Sequence, residues 1–177
     1  FAVNHLKEQI IEYFGDGSKW GVDIKYLEEK KPLGTAGALN LLPFEKDQPI
    51  LVLNGDILTN LKVSNLINFH NKCSSLATVC VREHIEKLAY GVVHLNNDIV
   101  ESIEEKPTFS HYVNAGIYLM DPAVLDFIEK DKRMDMPELL TLLINNKMQV
   151  SACPIHEYWL DVGLPETLSK AKEDWVN

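Results

Sequence analysis

Residues 50–56 read Ile50-Leu51-Val52-Leu53-Asn54-Gly55-Asp56, four apolar residues in a row stopped by a turn sequence. A short apolar run without alternation marks a strand buried on both faces, as in parallel sheets covered by helices. In open α/β sheets, ligands gather at the carboxyl ends of the strands. Asp56 therefore stands where a carboxylate is well placed to hold Mg2+. Capping of the turn or of the next helix is the competing account.

Upstream, Asn4 is a candidate helix cap, followed by Leu6, Ile10, Ile11 and Phe14 at helical spacing. Gly15 to Ser18 stops that helix, and Asp23 to Glu29 alternates like a strand. Gly34 to Leu42 reads as a short helix. Downstream, Ser64 is positioned to cap a helix carrying Leu66, Ile67 and Phe69, before an apolar strand over Leu76 to Val81. Strands alternating with helices predict βαβ units and a mainly parallel sheet. Later strands lie closer together: Gly91 to Glu105 reads as two strands joined at Asn96-Asn97-Asp98, then Tyr112 to Met120. Part of the sheet is therefore expected to be antiparallel. Asp121-Pro122 opens a helix, Met136 to Ile144 forms another, Met148 to Cys153 and His156 to Asp161 are strand-like, and Pro165 to Trp175 is a terminal helix.

The chain has 177 residues, enough for one domain with a sizeable core, and 46% of them are apolar. No apolar run approaches the ~18 residues of a membrane span, and no basic leader with an apolar stretch opens the chain. The net charge is −9, an unpromising footprint for nucleic acid or an anionic membrane. Anionic ligands would need a few placed lysines, backbone amides or a divalent cation. Three cysteines without a CxxC suit a reducing cytoplasm rather than a disulfide scaffold.

Several segments have chemical and structural readings side by side. Leu33-Gly34-Thr35-Ala36-Gly37 opens a helix with small residues, where free N–H groups favour phosphate or base oxygens; taken alone, a tight turn with close helix packing is the stronger account. Trp159-Leu160-Asp161-Val162-Gly163 places a second aspartate among apolar neighbours, as a metal ligand or a helix cap. Glu105-Lys106-Pro107 offers a point charge for phosphate or a solvated charge cluster. Asn114-Ala115-Gly116 interrupts an apolar strand, through a close ligand or a bulge. Gly15-Asp16-Gly17 follows a helix rather than a strand, so it is no dinucleotide fingerprint. The histidines show no metal-ligand spacing.

In this order the motifs resemble the sugar nucleotidyltransferase (nucleotide-sugar pyrophosphorylase) family. The matching runs are Tyr13 to Gly21 (YFGDGSKWG), Leu33 to Leu39 (LGTAGAL), Leu53 to Asp56 (LNGD), Tyr90 to Val93 (YGVV), Glu105 to Pro107 (EKP), Asn114 to Tyr118 (NAGIY) and Trp159 to Gly163 (WLDVG). The chain is most similar to the bacterial branch that includes mannose-1-phosphate guanylyltransferase-like and CBS-domain-linked members. The family's opening GxGxRxxP signature has no match here. The resemblance thus implies a three-layer α/β/α Rossmann-like core over residues 1–177, with a mixed, mostly parallel sheet that lacks its first strand and signature loop. Such a fragment is expected to be inactive alone. It would expose a sheet edge that favours self-association, and restoring the upstream segment is expected to raise its melting temperature.

The resemblance also implies roles. Asp56 and Asp161 would share Mg2+, and Lys106 would hold the phosphate of a sugar 1-phosphate. Glu105, the Gly91 N–H and the Asn114 amide would line the sugar pocket, and Gly34 and Thr35 would face the nucleobase. Glu29 falls near a base-contact position; a carboxylate there would suit the N1–H and N2–H donors of guanine, and so GTP. The implied partners are an NTP and a sugar 1-phosphate. A sugar phosphate is largely dianionic at pH 7, with its second pKa at about 6, so it can attack the α-phosphorus without a general base. The rival readings are a nucleotide-sugar-binding regulatory domain without turnover and a related glycosyltransferase. The latter usually carries a DxD motif, for which Asp131-Lys132-Arg133 is a poor substitute.

Overall fold

The computed structural model describes residues 1–43 and 48–175. In chain order the elements are β1 (Ala2–Val3), α1 (Lys7–Phe14), β2 (Leu27–Glu28), α2 (Gly34–Gly37), β3 (Ile50–Leu53), β4 (Ile57–Thr59), α3 (Val63–Cys73), β5 (Ala77–Lys87), β6 (Val92–Asn96), β7 (Ile99–Glu104), β8 (Thr108–Met120), α4 (Met136–Asn145), β9 (Val150–Pro154), β10 (Trp159–Asp161) and α5 (Pro165–Asp174), with 3-10 turns at Ser18–Trp20, Ala38–Leu41 and Pro122–Phe127.

The central sheet has the order β3-β8-β5-β9. Strands β3, β5 and β9 share one direction, and β8 runs against them between β3 and β5. The sheet is therefore mixed, with a single reversed strand. Alternate residues of β8 point to opposite faces. Tyr118 and Met120 pack beneath α2, α4 and the 122–127 turn, where Ala36, Met136, Leu139 and Leu143 are buried. Ala115, Ile117 and Leu119 face the other way, against Leu66 of α3 and against Cys80, Cys153 and Ile155. Helices thus cover both faces, and the result is the three-layer α/β/α core.

α4 begins where its sequence says it should: Asp135 and Glu138 form a reciprocal capping box and Pro137 occupies the first turn. The Asp121 carboxylate accepts the Ala123 N–H at 2.8 Å with Pro122 behind it, but the helix expected to open there is a 3-10 turn over Pro122–Phe127.

Several expectations need correction. β3 is an edge strand covered on one face: Ile50 is buried there, while Leu51 and Leu53 point to the other face and are 37% and 48% exposed rather than buried. Asn4 does not cap α1: Leu6 precedes the helix at φ +56, and the Asn4 amide instead donates to the Glu29 carbonyl at 2.9 Å. Ser64 lies inside α3, which follows Lys62 without a side-chain cap. The strand expected over 23–29 contracts to Leu27–Glu28, because its one neighbour among the described residues, the parallel β1, offers two residues to pair with. The Gly34–Leu42 helix is α for one turn and then tightens to 3-10. β4 went unforeseen: the chain leaves Asn54-Gly55-Asp56 directly into a strand antiparallel to β10.

Candidate functional site

The LNGD, NAG and WLDVG motifs meet beyond the end of β3. Asp56 is the residue before β4, and Asp161 ends β10. Their strands pair in antiparallel register, with Asp161 opposite Ile57, and the Val162 N–H donates to the Asp56 carbonyl at 2.8 Å. Gly163 marks the place where the carboxylates converge. A Cβ on that glycine would lie 3.0 Å from Asp161 Oδ1 and 3.8 Å from Asp56 Oδ2. The Gly163 N–H also donates to Asp161 Oδ1 at 2.9 Å, which fixes that side chain's orientation. Both aspartates are exposed.

The second wall is a bulge in β8. Val79 pairs with Tyr118, but Val81 pairs with Asn114, so β8 loops out around Ala115 and Gly116. Gly116 sits at φ +71, and a Cβ there would meet Asn54 Nδ2 at 2.9 Å and Ile57 Cγ1 at 3.2 Å. The backbone joins the same places, as the Asn54 N–H donates to the Gly116 carbonyl at 2.9 Å. The Trp159 indole N–H donates to the Ala115 carbonyl at 2.8 Å. Asn114 turns its Oδ1 to the Gly116 N–H at 3.0 Å. Burial pushes the neighbouring Tyr118 phenol above its ordinary pKa, while a hydrogen bond with Asn114 pulls the other way. The bulge and the ligand-approach readings of this motif are therefore not exclusive: the bulge lies beside the two carboxylates.

Gly91, Glu105 and Lys106 form a second group, where the β6–β7 hairpin meets the β5–β8 ribbon. A Cβ on Gly91 would come within 3.0 Å of Glu105 Oε2. Lys106 is exposed and is held in the left-handed region at φ +48, a costly state for a residue with a β-carbon. Pro107 behind it is buried, and its carbonyl accepts the Leu88 N–H at 3.1 Å. β8 runs from this corner to the bulge at Asn114.

The Gly34–Thr35 turn is organised differently from expectation. The Thr35 N–H donates to Asp135 Oδ1 at 3.1 Å, and the Ala36 and Gly37 N–H groups donate to the Met134 carbonyl at 3.0 and 3.1 Å. Thr35 Oγ1 accepts the Met136 N–H at 2.8 Å. The amides expected to be free for phosphate or base oxygens thus hold the segment before α4. Gly34 itself must be glycine, since a Cβ would lie 2.5 Å from the Met134 carbonyl oxygen at φ +77. Glu29 is engaged nearby, its Oε2 accepting the Leu33 N–H at 2.7 Å.

The family model described as Nucleotidyl transferase matches residues 2–177. The chain belongs to that family. Curated relatives include the mannose-1-phosphate guanyltransferases of Debaryomyces hansenii, 32% identical, and Schizosaccharomyces pombe, 35% identical, each over 174 residues. These alignments cover 93% of this chain and 48% of each relative, so the chain spans about half their length. Among solved structures, HddC from Yersinia pseudotuberculosis superposes with a TM-score of 0.73 at 24% identity, over 98% of this chain and 76% of that one. HddC complexed with GMP-PN gives a TM-score of 0.71 at 23% identity, over 98% and 76% of the two chains. At those identities the likeness is one of fold.

Within this nucleotidyl transferase chain, the fold brings Asp56, Asp161 and the Asn114 bulge into one place and Gly91, Glu105 and Lys106 into a second. Gly34, Thr35 and Glu29 cluster at the start of α2, tied to the 134–136 segment. Among the described residues no group of three or more His, Cys, Asp or Glu side chains could hold a metal ion. A cation beside Gly163 would take two carboxylates and complete its shell with water and substrate phosphate. That is the donor set Mg2+ favours, so the residues present fit it. No helix among the described residues is long and apolar enough to cross a membrane.

Sequence reasoning named no role for Asn54, Trp159 or Arg82. The first two stood inside quoted motifs, and a tryptophan in a strand-like run, whose indole N–H needs an acceptor once covered, was the available signal for Trp159. Arg82 gave none: its guanidinium donates to the Glu157 carbonyl at 2.7 Å, a partner only the fold supplies.

Proposed function

We propose that this chain carries the catalytic half of a Mg2+-dependent sugar-1-phosphate nucleotidyltransferase. It would transfer a nucleotidyl group from an NTP, GTP being the favoured donor, to a sugar 1-phosphate and release pyrophosphate. The observation that carries the reading is the convergence of Asp56 and Asp161 on Gly163, beside a bulge that presents Asn114. Support for a guanine nucleotide and a mannose phosphate comes from the names of the curated relatives.

The roles follow from the chemistry of each group. Asp56 and Asp161 would hold the cation, which when bound neutralises charge on the phosphates as they approach each other. Lys106 would draw in the sugar phosphate as a point charge. Glu105 accepts hydrogen bonds and the Gly91 N–H donates them, a complementary pair for sugar hydroxyls. Asn114 would add an amide donor from the bulge. No residue need remove a proton, because the attacking phosphate is already ionised; placement and charge neutralisation supply the catalysis.

The test is pyrophosphate release by the full-length enzyme across a panel of NTPs and sugar phosphates, with calorimetry of nucleotide-sugar binding alongside. Asp56→Asn and Asp161→Asn are each expected to remove Mg2+-dependent turnover, by about a hundredfold or more. Wild-type turnover by either variant removes that residue from the site. Preference for UTP or dTTP defeats the guanine assignment, and binding without turnover favours a regulatory domain.

A further inference from the structure

We propose that Trp159 is a positioning residue: its indole N–H locks the strand pair that carries Asp56 and Asp161 onto the β8 bulge that carries Asn114, and so sets how tightly the carboxylates hold a divalent cation. The inference rests on the metal role given to the two aspartates above.

Among the described residues, β4 and β10 form a sheet of their own, with no ladder to the four-stranded sheet. What aligns the pair with the rest of the site is a set of local links. The Asn54 N–H reaches the Gly116 carbonyl just before β4, and the Ile155 N–H reaches the Val81 carbonyl at 2.9 Å on the approach to β10. Arg82 holds the Glu157 carbonyl on the same approach. Trp159 is different in that it acts from within β10 itself, two residues from Asp161 and opposite Thr59 of β4. Its N–H ends on Ala115, a residue with no exposed surface at the centre of the bulge. Its ring packs against the cluster of Leu66, Ile117 and Ile155.

The indole therefore couples two things the reaction needs in register, the carboxylate pair and the wall bearing Asn114. Without the N–H, the Ala115 carbonyl loses a donor inside the protein, where water cannot easily replace it. The Asn54–Gly116 bond still holds the chain just before Asp56, whereas β10 has lost its own tie to the bulge. Asp161 Oδ1 and Asp56 Oδ2 lie 3.0 and 3.8 Å from one point, so a small shift of β10 moves one of them away from a shared cation before it unfolds anything.

The probe is Mn2+, titrated into the full chain alone and with GTP, and followed by water-proton relaxation. Trp159→Phe keeps an aromatic ring of smaller size and deletes the N–H. It is expected to raise the Mn2+ dissociation constant about tenfold, the size seen when outer-shell partners of metal ligands are lost, while far-ultraviolet circular dichroism below the transition stays unchanged. Replacement of the indole by benzothiophene, which has the same shape and no N–H, should give the same weakening and covers the case in which the Phe variant folds poorly. A purely structural role predicts a lower melting temperature with Mn2+ affinity intact, and that result overturns the proposal. Wild-type protein that holds no Mn2+ in either titration overturns the metal reading as well. Retained wild-type binding with equal affinity in both indole variants overturns the Trp159 role alone.

Discussion

Replacing Gly116 by alanine isolates the contact on which the site's geometry depends. Two costs add at this position. The first is backbone: at φ +71 a β-carbon costs about 1–2 kcal/mol, of which about 0.4–1 kcal/mol is recovered from the stiffer unfolded chain. The second is space: the new methyl would lie 2.9 Å from Asn54 Nδ2, 3.1 Å from its Cγ and 3.2 Å from Ile57 Cγ1. Forcing a group into such a contact costs about 1–3 kcal/mol. The internal control is Gly21, which shares φ +71 but has nothing within 4 Å of its would-be Cβ. Gly21→Ala should therefore lose about 1 kcal/mol and Gly116→Ala about 2–4 kcal/mol. Urea denaturation of wild type and both variants gives the difference directly, and in a chain of this size each kcal/mol moves the melting temperature by about 2–4 °C. In the intact enzyme the Gly116 variant should also lose Mg2+-dependent turnover, since Asn54 leads directly to Asp56. A Gly116 variant no less stable than the Gly21 variant would show that the bulge does not press on Asn54, and the proposed assembly of the three motifs would fail with it.

Three further outcomes follow from the structure. Burial holds the His70 imidazole below its ordinary pKa of 6.5, against the opposing charge of Asp121, while its Nδ1 meets Thr78 Oγ1 at 2.8 Å. As pH falls below 6.5 the unfolded chain binds this proton before the folded one, so stability is full above that value and declines until the folded His70 titrates; His70→Gln should flatten that part of a denaturation-versus-pH curve, and an unaltered curve refutes the assignment. Burial pushes the Cys80 thiol up to about 12 and also raises Cys153, so iodoacetamide at pH 8 should label half-exposed Cys73 and spare both in the folded protein, as read by mass spectrometry; rapid labelling of Cys80 would contradict its burial. In the intact enzyme Lys106→Ala should raise the KM for sugar phosphate about tenfold or more with little change in the KM for NTP, and unchanged kinetics would remove Lys106 from the site.

The order of elements was legible because periodicity and punctuation are local. The apolar runs at 50–53 and 76–81, the Asn96-Asn97-Asp98 turn and the helix from Met136 all read directly from neighbours in the chain. Errors came where length or burial depends on a partner far away. β2 is short because β1 is short, and Leu51 is exposed because only the opposite face of the edge strand β3 is covered. Lys62 rather than Ser64 precedes α3, and Asn4 turned from cap to strand tie because the Glu29 carbonyl lay within reach. At the site, Asp56, Asp161 and Asn114 could be nominated from their positions among apolar residues. The N–H groups at the start of α2 could not be judged, since their acceptors at Met134 and Asp135 lie about a hundred residues on.

Taken alone, the amino-acid sequence determined the α/β class, the family motifs and the chemical groups available, because all three are written in residue type and short spacing. Tertiary structure decided which of those groups stand together. The β4–β10 pairing brings two distant carboxylates to Gly163, the β8 bulge sets Asn114 beside them, and Trp159 ties one to the other. Such meetings depend on strand pairing across long loops, where register is set by packing over the whole core and no local pattern encodes it.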